Sequence, residues 1–229
     1  MTVPVRALFV SAAFFYLGAN RLVLAQGPDL SAEAESFIED HFSAAKGAEA
    51  LQQFDKAIEQ YELILKRYPD AVPEVYQNLG LVYYLARRYD DAIRVFERGI
   101  RLKPNMVGAR LFLGSSYLMK ERPERALPHL QYAHKTQPTV ESAQYLGRCL
   151  NSLRRYDEAN EYYRFALARS ADKAYFLHLL GNSYLRLSEQ VGNSLTALSR
   201  FHVRIPHNGQ GDGGAAVVPS GGARISGVI

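Results

Sequence analysis

The chain has 229 residues, 48% hydrophobic and 22% charged, which suits one domain or a short repeat array and not a disordered chain. Its net charge is only +4, and stretches such as "YLARRYDDAIRVFERGIRLK" interleave acids with arginines. That pattern argues against a basic face for nucleic acid. The single cysteine, Cys149, excludes an intrachain disulfide and a cysteine metal cluster; within "YLGRCLNSL" it reads as a buried, inert thiol.

The first 25 residues stand apart. Arg6 precedes an apolar run from Ala7 to Ala19, and Val23–Ala25 offers small or β-branched residues at a cleavage position. This reads as a secretory signal cut after Ala25, interrupted by Asn20 and Arg21. The run is apolar all round, which argues against an ordinary amphipathic helix, and it is short for a membrane span. Export to the periplasm or outside is the expectation. An uncleaved segment would leave the chain membrane-associated through it, or cytoplasmic. Gln26 gives no cysteine for a lipid anchor.

Beyond it, one phrase recurs. "QQFDKAI" begins at Gln52, "RRYDDAI" at Arg87, a worn "ERPERAL" at Glu121 and "RRYDEAN" at Arg154, spaced 35, 34 and 33 residues apart. A fixed period of this size indicates stacked supersecondary units. The first unit has a helix over about Ser31–Leu51 and a second carrying Ala57 and Tyr61, closed by Pro69. The clearest unit, Pro73–Pro104, carries Tyr76, Leu79-Gly80 and Tyr83 on one stripe and Ala92, Ile93, Phe96 and Ile100 on another. The short "ARRYD" turn makes its two helices antiparallel. Gly80 and Ala92 are the small residues that let them approach, and Pro104 ends the second.

The third unit has Leu113-Gly114, Tyr117, Ala126, Leu130, Ala133 and Pro138. Pro123 falls where a helix begins, and Pro128 should bend or weaken that helix. The fourth has Leu146-Gly147, Ala159, Tyr163 and Ala166, with Leu150 for the tyrosine. A fifth first helix, "AYFLHLLGNSYLRL", restores Leu180-Gly181 and Tyr184. Its partner, "SEQVGNSLTALSRF", lacks the alanine and the aromatic; Val191, Leu195 and Leu198 form its stripe and are expected to cap the stack.

Aromatic, Leu-Gly, Tyr, Ala, Phe and Pro at these positions resemble the tetratricopeptide repeat. The resemblance covers about residues 31–198, with repeats at about 38–72, 73–106, 107–139, 140–173 and a partial 174–198. It implies an all-α, right-handed superhelical solenoid of four to five helix-turn-helix repeats. It also implies a non-catalytic scaffold that binds a protein or peptide partner, whose identity the sequence does not give, with no cofactor. In that family the first helices line a concave groove. Carried over by register, the candidate groove residues are Gln77, Leu81 and Tyr84; Leu111, Ser115 and Leu118; Gln144, Arg148 and Asn151; and His178, Asn182 and Leu185. One subclass grips C-terminal carboxylates with Lys and Asn; Gln77 and Leu81 stand there instead. Arg148 is the groove cation. Tyr83, Tyr117 and Tyr184 read as packing residues.

No catalytic motif is present. His129 and His134, five residues apart, lie on different helix faces and lack further ligands for zinc. From about residue 199 the chain turns glycine-rich, as in "NGQGDGG". Two readings stand: a disordered tail, or a tail read in a shifted frame, since a one-base shift admits another repeat. The second makes the chain the N-terminal repeat portion of a larger enzyme or secretion component. A cytoplasmic adaptor is a third reading, tied to the N-terminal segment. Export predicts Gln26 as the first residue in N-terminal sequencing of the purified protein; an intact Met1 would favour the adaptor.

Overall fold

The computed structural model describes residues 30–202, with side chains through Ser194. The N-terminal signal reading and the tail reading beyond His202 lie outside the described residues. Within them are nine helices and no strand. They are α1 (Ala32–Ala50), α2 (Phe54–Arg67), α3 (Pro73–Leu85), α4 (Tyr89–Leu102), α5 (Val107–Met119), α6 (Pro123–Thr136), α7 (Val140–Ser152), α8 (Tyr156–Arg169) and α9 (Lys173–His202). Helices α1 to α8 pair in sequence as antiparallel hairpins, and each pair stacks on the next. The fold is an all-α solenoid. None of these helices is long and apolar enough to cross a membrane.

The recurring phrase marks the turns. Gln52, Arg87, Glu121 and Arg154, the first residue of each copy, all have positive φ, between 55° and 61°. At each, the next amide reaches back five residues: Arg88 N–H donates to the Tyr83 carbonyl at 2.8 Å, and Arg155 N–H to Leu150 at 2.9 Å. This is the Schellman closure, which satisfies helix-end carbonyls with one left-handed residue. The chain reverses there, and the second helix starts two residues later.

Within each hairpin a glycine meets a large side chain. A β-carbon on Gly80 would lie 2.5 Å from Phe96 Cε1, on Gly114 2.6 Å from Leu130 Cγ, and on Gly147 2.5 Å from Tyr163 Cε1. Ala92, Ala126 and Ala159, one turn before those side chains, are fully buried. The small residues bring the backbones close, and Phe96, Leu130 and Tyr163 fill the layer between them.

Hydrogen bonds tie successive units. Tyr83 donates to Glu62 Oε1 at 2.5 Å, and Tyr117 donates to Glu97, both acids standing on the preceding second helix. Arg88 and Arg125 cover the same two rings at 4.6 and 4.5 Å. Tyr61 donates to the buried Glu49, which Lys46 neutralises at 2.9 Å. Helix α6 runs unbroken through Pro128, so the loss is one bond at the Glu124 carbonyl rather than the helix.

The fifth unit departs from expectation. No turn follows its first helix: α9 continues to His202. Position 188, where the left-handed turn residue would fall, is Ser, and Asn193 and Ala197 stand where the other units place the alanine and its large filler. Continuing the helix keeps every backbone bond. Tyr184, expected in the core, is 41% exposed, and Val191, expected in a capping stripe, is 51% exposed. The side chains of Leu195 and Leu198 lie outside the described residues. The chain divides into two compact units after Glu189; the described part of the second is the remainder of α9.

Two glycines from the same motif should therefore respond oppositely. Gly80→Ala forces the Phe96 ring out of place and costs about 1–3 kcal/mol. Gly181→Ala meets nothing within 4 Å and gains helix propensity, stabilising by about 1 kcal/mol. Urea midpoints measure both. Arg154→Gly relieves a left-handed residue and should stabilise by about 1 kcal/mol, raising the midpoint; a fall would contradict the turn assignment.

Candidate functional site

The candidate groove belongs to the first helices. Among them α3 touches α5 and α5 touches α7 directly, whereas the second helices meet far less. The first helices therefore lie on the inner side of the curve. The curvature is tight enough for Tyr84 on α3 to reach past α5, its hydroxyl standing 3.3 Å from that of Tyr145 on α7. Between them Ser115 Oγ on α5 lies 2.9 Å from the Tyr84 hydroxyl.

This contact changes the expected site. Leu81, Tyr84, Leu111 and Ser115 are 4%, 7%, 2% and 1% exposed, and so are buried rather than lining an open groove. Tyr145 meets Tyr84 and Ser115, and the Phe112 ring packs 5.5 Å from that of Tyr84. Sequence reasoning missed both. They share one register position, directly before Leu-Gly, where the second unit has Asn78. Two aromatics at that position were the available signal.

Gln77 is half-buried and committed to structure: its Oε1 accepts from Ala109 N–H at 3.2 Å, capping the first turn of α5. With Leu81 buried, the α3 positions offer nothing to hold a carboxylate clamp. Leu118 is half-buried and packs on the core.

The later half is different. Gln144 donates to the Tyr175 hydroxyl at 3.0 Å, linking α7 to α9. His178 and Asn182 are exposed and bonded to each other at 3.0 Å, and Leu185 is 58% exposed. Asn151 is half-buried, with an Oδ1 that has no partner. Arg148 is half-buried, and among the described residues its guanidinium makes no hydrogen bond or ion pair. Many other arginines are held: Arg67 by Glu33, Arg98 by Asp70, Arg155 by Glu158. Tyr163 and Tyr175 lie close enough to Arg148 to feel its charge.

Glu141, one turn before Tyr145, was also missed. Burial pushes its carboxyl up to about 7, and its charge in turn opposes ionisation of Tyr145. Elsewhere the titratable groups are structural. Cys149 is fully buried, donates toward the Pro123 carbonyl at 3.2 Å, and burial pushes its thiol up to about 12. His134 Nδ1 lies 2.8 Å from Ser142 Oγ, and its ring sits edge-on to Tyr162 and Phe165 at 5.1 Å, so it spaces helices. No group of His, Cys, Asp and Glu among the described residues could hold a metal.

A carboxyl with a raised folded-state pKa favours the folded chain while it is protonated. The Glu141 contribution is therefore present below its ordinary 4.5 and is lost as pH rises through about 7. Glu141→Gln should flatten that part of the stability profile between those pH values. Thermal melts across the range test it, and an unchanged slope would contradict the burial.

Two tetratricopeptide repeat family models match the chain, over residues 33–105 and 78–140. No curated protein sequence matches it. Among solved structures, the MamA protein superposes with TM-score 0.62 at 22% identity, covering 81% of this chain and 100% of that one. MamA from residue 41, of Desulfovibrio magneticus RS-1, gives 0.62 at 16% identity, over 76% and 97%. YrrB, described as a TPR protein with an unusual peptide-binding site, gives 0.59 at 22%, over 69% and 84%. These likenesses concern the fold. The matching models show that residues 33–140 of the chain are tetratricopeptide repeats, the stretch that holds the hairpins packed at Gly80 and Gly114.

Proposed function

We propose that the protein is a non-catalytic scaffold that holds an extended peptide of a partner protein against α7 and the first half of α9. The observation that carries this reading is the unpaired guanidinium of Arg148 on the inner helix layer. A guanidinium left with its donors free is suited to a carboxylate, which it binds through two parallel hydrogen bonds. Gln144, Asn151, His178 and Asn182 surround that position by register and supply donors and acceptors for a peptide backbone. The α3–α5 half contributes rigidity, since its hydroxyl cluster leaves no opening. The peptide-binding description of YrrB supports the class of ligand. Export, read from the first 25 residues, is part of this proposal, and it would place the partner outside the cytoplasm.

Peptides selected from a displayed random library against the full chain supply the probe. Arg148→Glu should weaken the selected acidic peptides by about tenfold or more, as expected for loss of a charged hydrogen bond. Its melting temperature should stay unchanged, and Tyr84→Phe should leave affinity intact. Equal affinity of the wild type and Arg148→Glu would overturn the proposal.

A further inference from the structure

Three glycines of the repeat are filled in one way. Phe96 fills Gly80, Leu130 fills Gly114 and Tyr163 fills Gly147, each from a position sixteen residues later. An alanine stands one turn before each filler: Ala92, Ala126 and Ala159. The tyrosine or leucine three residues after each glycine is shut in: Tyr83, Tyr117 and Leu150 are 2%, 1% and 1% exposed.

Gly181 is the fourth such glycine. Sixteen residues on stands Ala197, too small to fill it, and among the described residues nothing lies within 4 Å of its would-be β-carbon. Leu177, one turn before, is 55% exposed, and Tyr184, three residues after, is 41% exposed. The three share one face of α9. Phe176 and Ser183 on another side are buried at 2% and 0%, so the helix is seated, while on this face Arg164 of α8 donates to the Tyr184 hydroxyl and, among the described residues, leaves Leu177 and Gly181 uncovered.

We propose that this face is a second docking site, which takes an amphipathic helix of a partner protein in place of the missing second helix of the fifth repeat. The occupant is defined by the interface that the chain itself builds three times. It is an antiparallel helix with Phe, Tyr or Leu set over Gly181, alanine four residues before that, and polar residues on its outer side. The site is continuous with the hairpin interfaces of α3–α4, α5–α6 and α7–α8. It is separate from the peptide surface at Arg148, because Leu177, Gly181 and Tyr184 lie on a different side of α9 from His178 and Asn182.

The probe is a labelled synthetic peptide with the sequence of residues 87–103, this chain's own second helix bearing Ala92 and Phe96. Fluorescence anisotropy against the full chain should show saturable binding. Phe96→Ala in the peptide should weaken it at least tenfold, and so should Gly181→Leu in the protein. Gly181→Leu places its side chain in open space, so circular dichroism should show it folded. Arg148→Glu should leave helix binding unchanged, which separates the two sites. Absence of binding, or binding indifferent to both substitutions, would overturn the proposal. So would a dimer in light scattering that Gly181→Leu abolishes, because a second copy would then be the occupant.

Discussion

The structure rests on a missing β-carbon. Where Gly80, Gly114 and Gly147 face their second helices, a ring or branched side chain occupies space that any other residue would claim for itself. Glycine in a helix interior is costly, about 1 kcal/mol against alanine, so each of these positions is a debt recovered only through packing. The recovery is dispersion and area burial along a line of large residues: Phe96, Leu130 and Tyr163 are all fully buried. Interaxial distance, the tilt of each pair, and with them the curvature of the stack follow from that approach. The surface salt bridges, exposed on at least one partner, add little by comparison.

Much of this was legible because helical period and repeat period both leave marks in sequence. The four copies of one phrase began at the four left-handed turn residues, although no glycine marks them. Helix starts at Pro73 and Pro123 followed from proline chemistry. What the period could not convey was how tightly the inner layer closes. Register assigned Tyr84 and Ser115 to the inner face, but their exposure depends on the length of the side chains opposite. Tyr145 reaches both from another unit. The fifth unit failed for a related reason: Leu180-Gly181 and Tyr184 are half of a code, and half a hairpin has no turn to make.

Polar satisfaction is uneven along the stack. In the first three units three core tyrosine hydroxyls each have a carboxylate: Glu49 for Tyr61, Glu62 for Tyr83, Glu97 for Tyr117. In α8 the pattern lapses. The Tyr163 hydroxyl and both amide atoms of Asn160 are buried without partners. Asn160 stands where the second unit has Ile93, so a repeat position that elsewhere contributes apolar area here carries an unpaired amide. The same end of the stack carries the unpaired Arg148 and the unfilled Gly181, so packing debt, polar debt and open surface coincide there.

The hydroxyl cluster has a mechanical corollary. A stack of repeats held only by nearest neighbours behaves as a spring: each joint bends independently and compliance adds along its length. Tyr84, Ser115 and Tyr145 add a strut across two joints, since α3 and α7 now share a contact that neither joint could keep if it opened alone. Bending is thereby suppressed in the middle and passed to the two ends. Under load or thermal agitation, the centre should move as a block, with α1–α2 and α9 as the compliant parts.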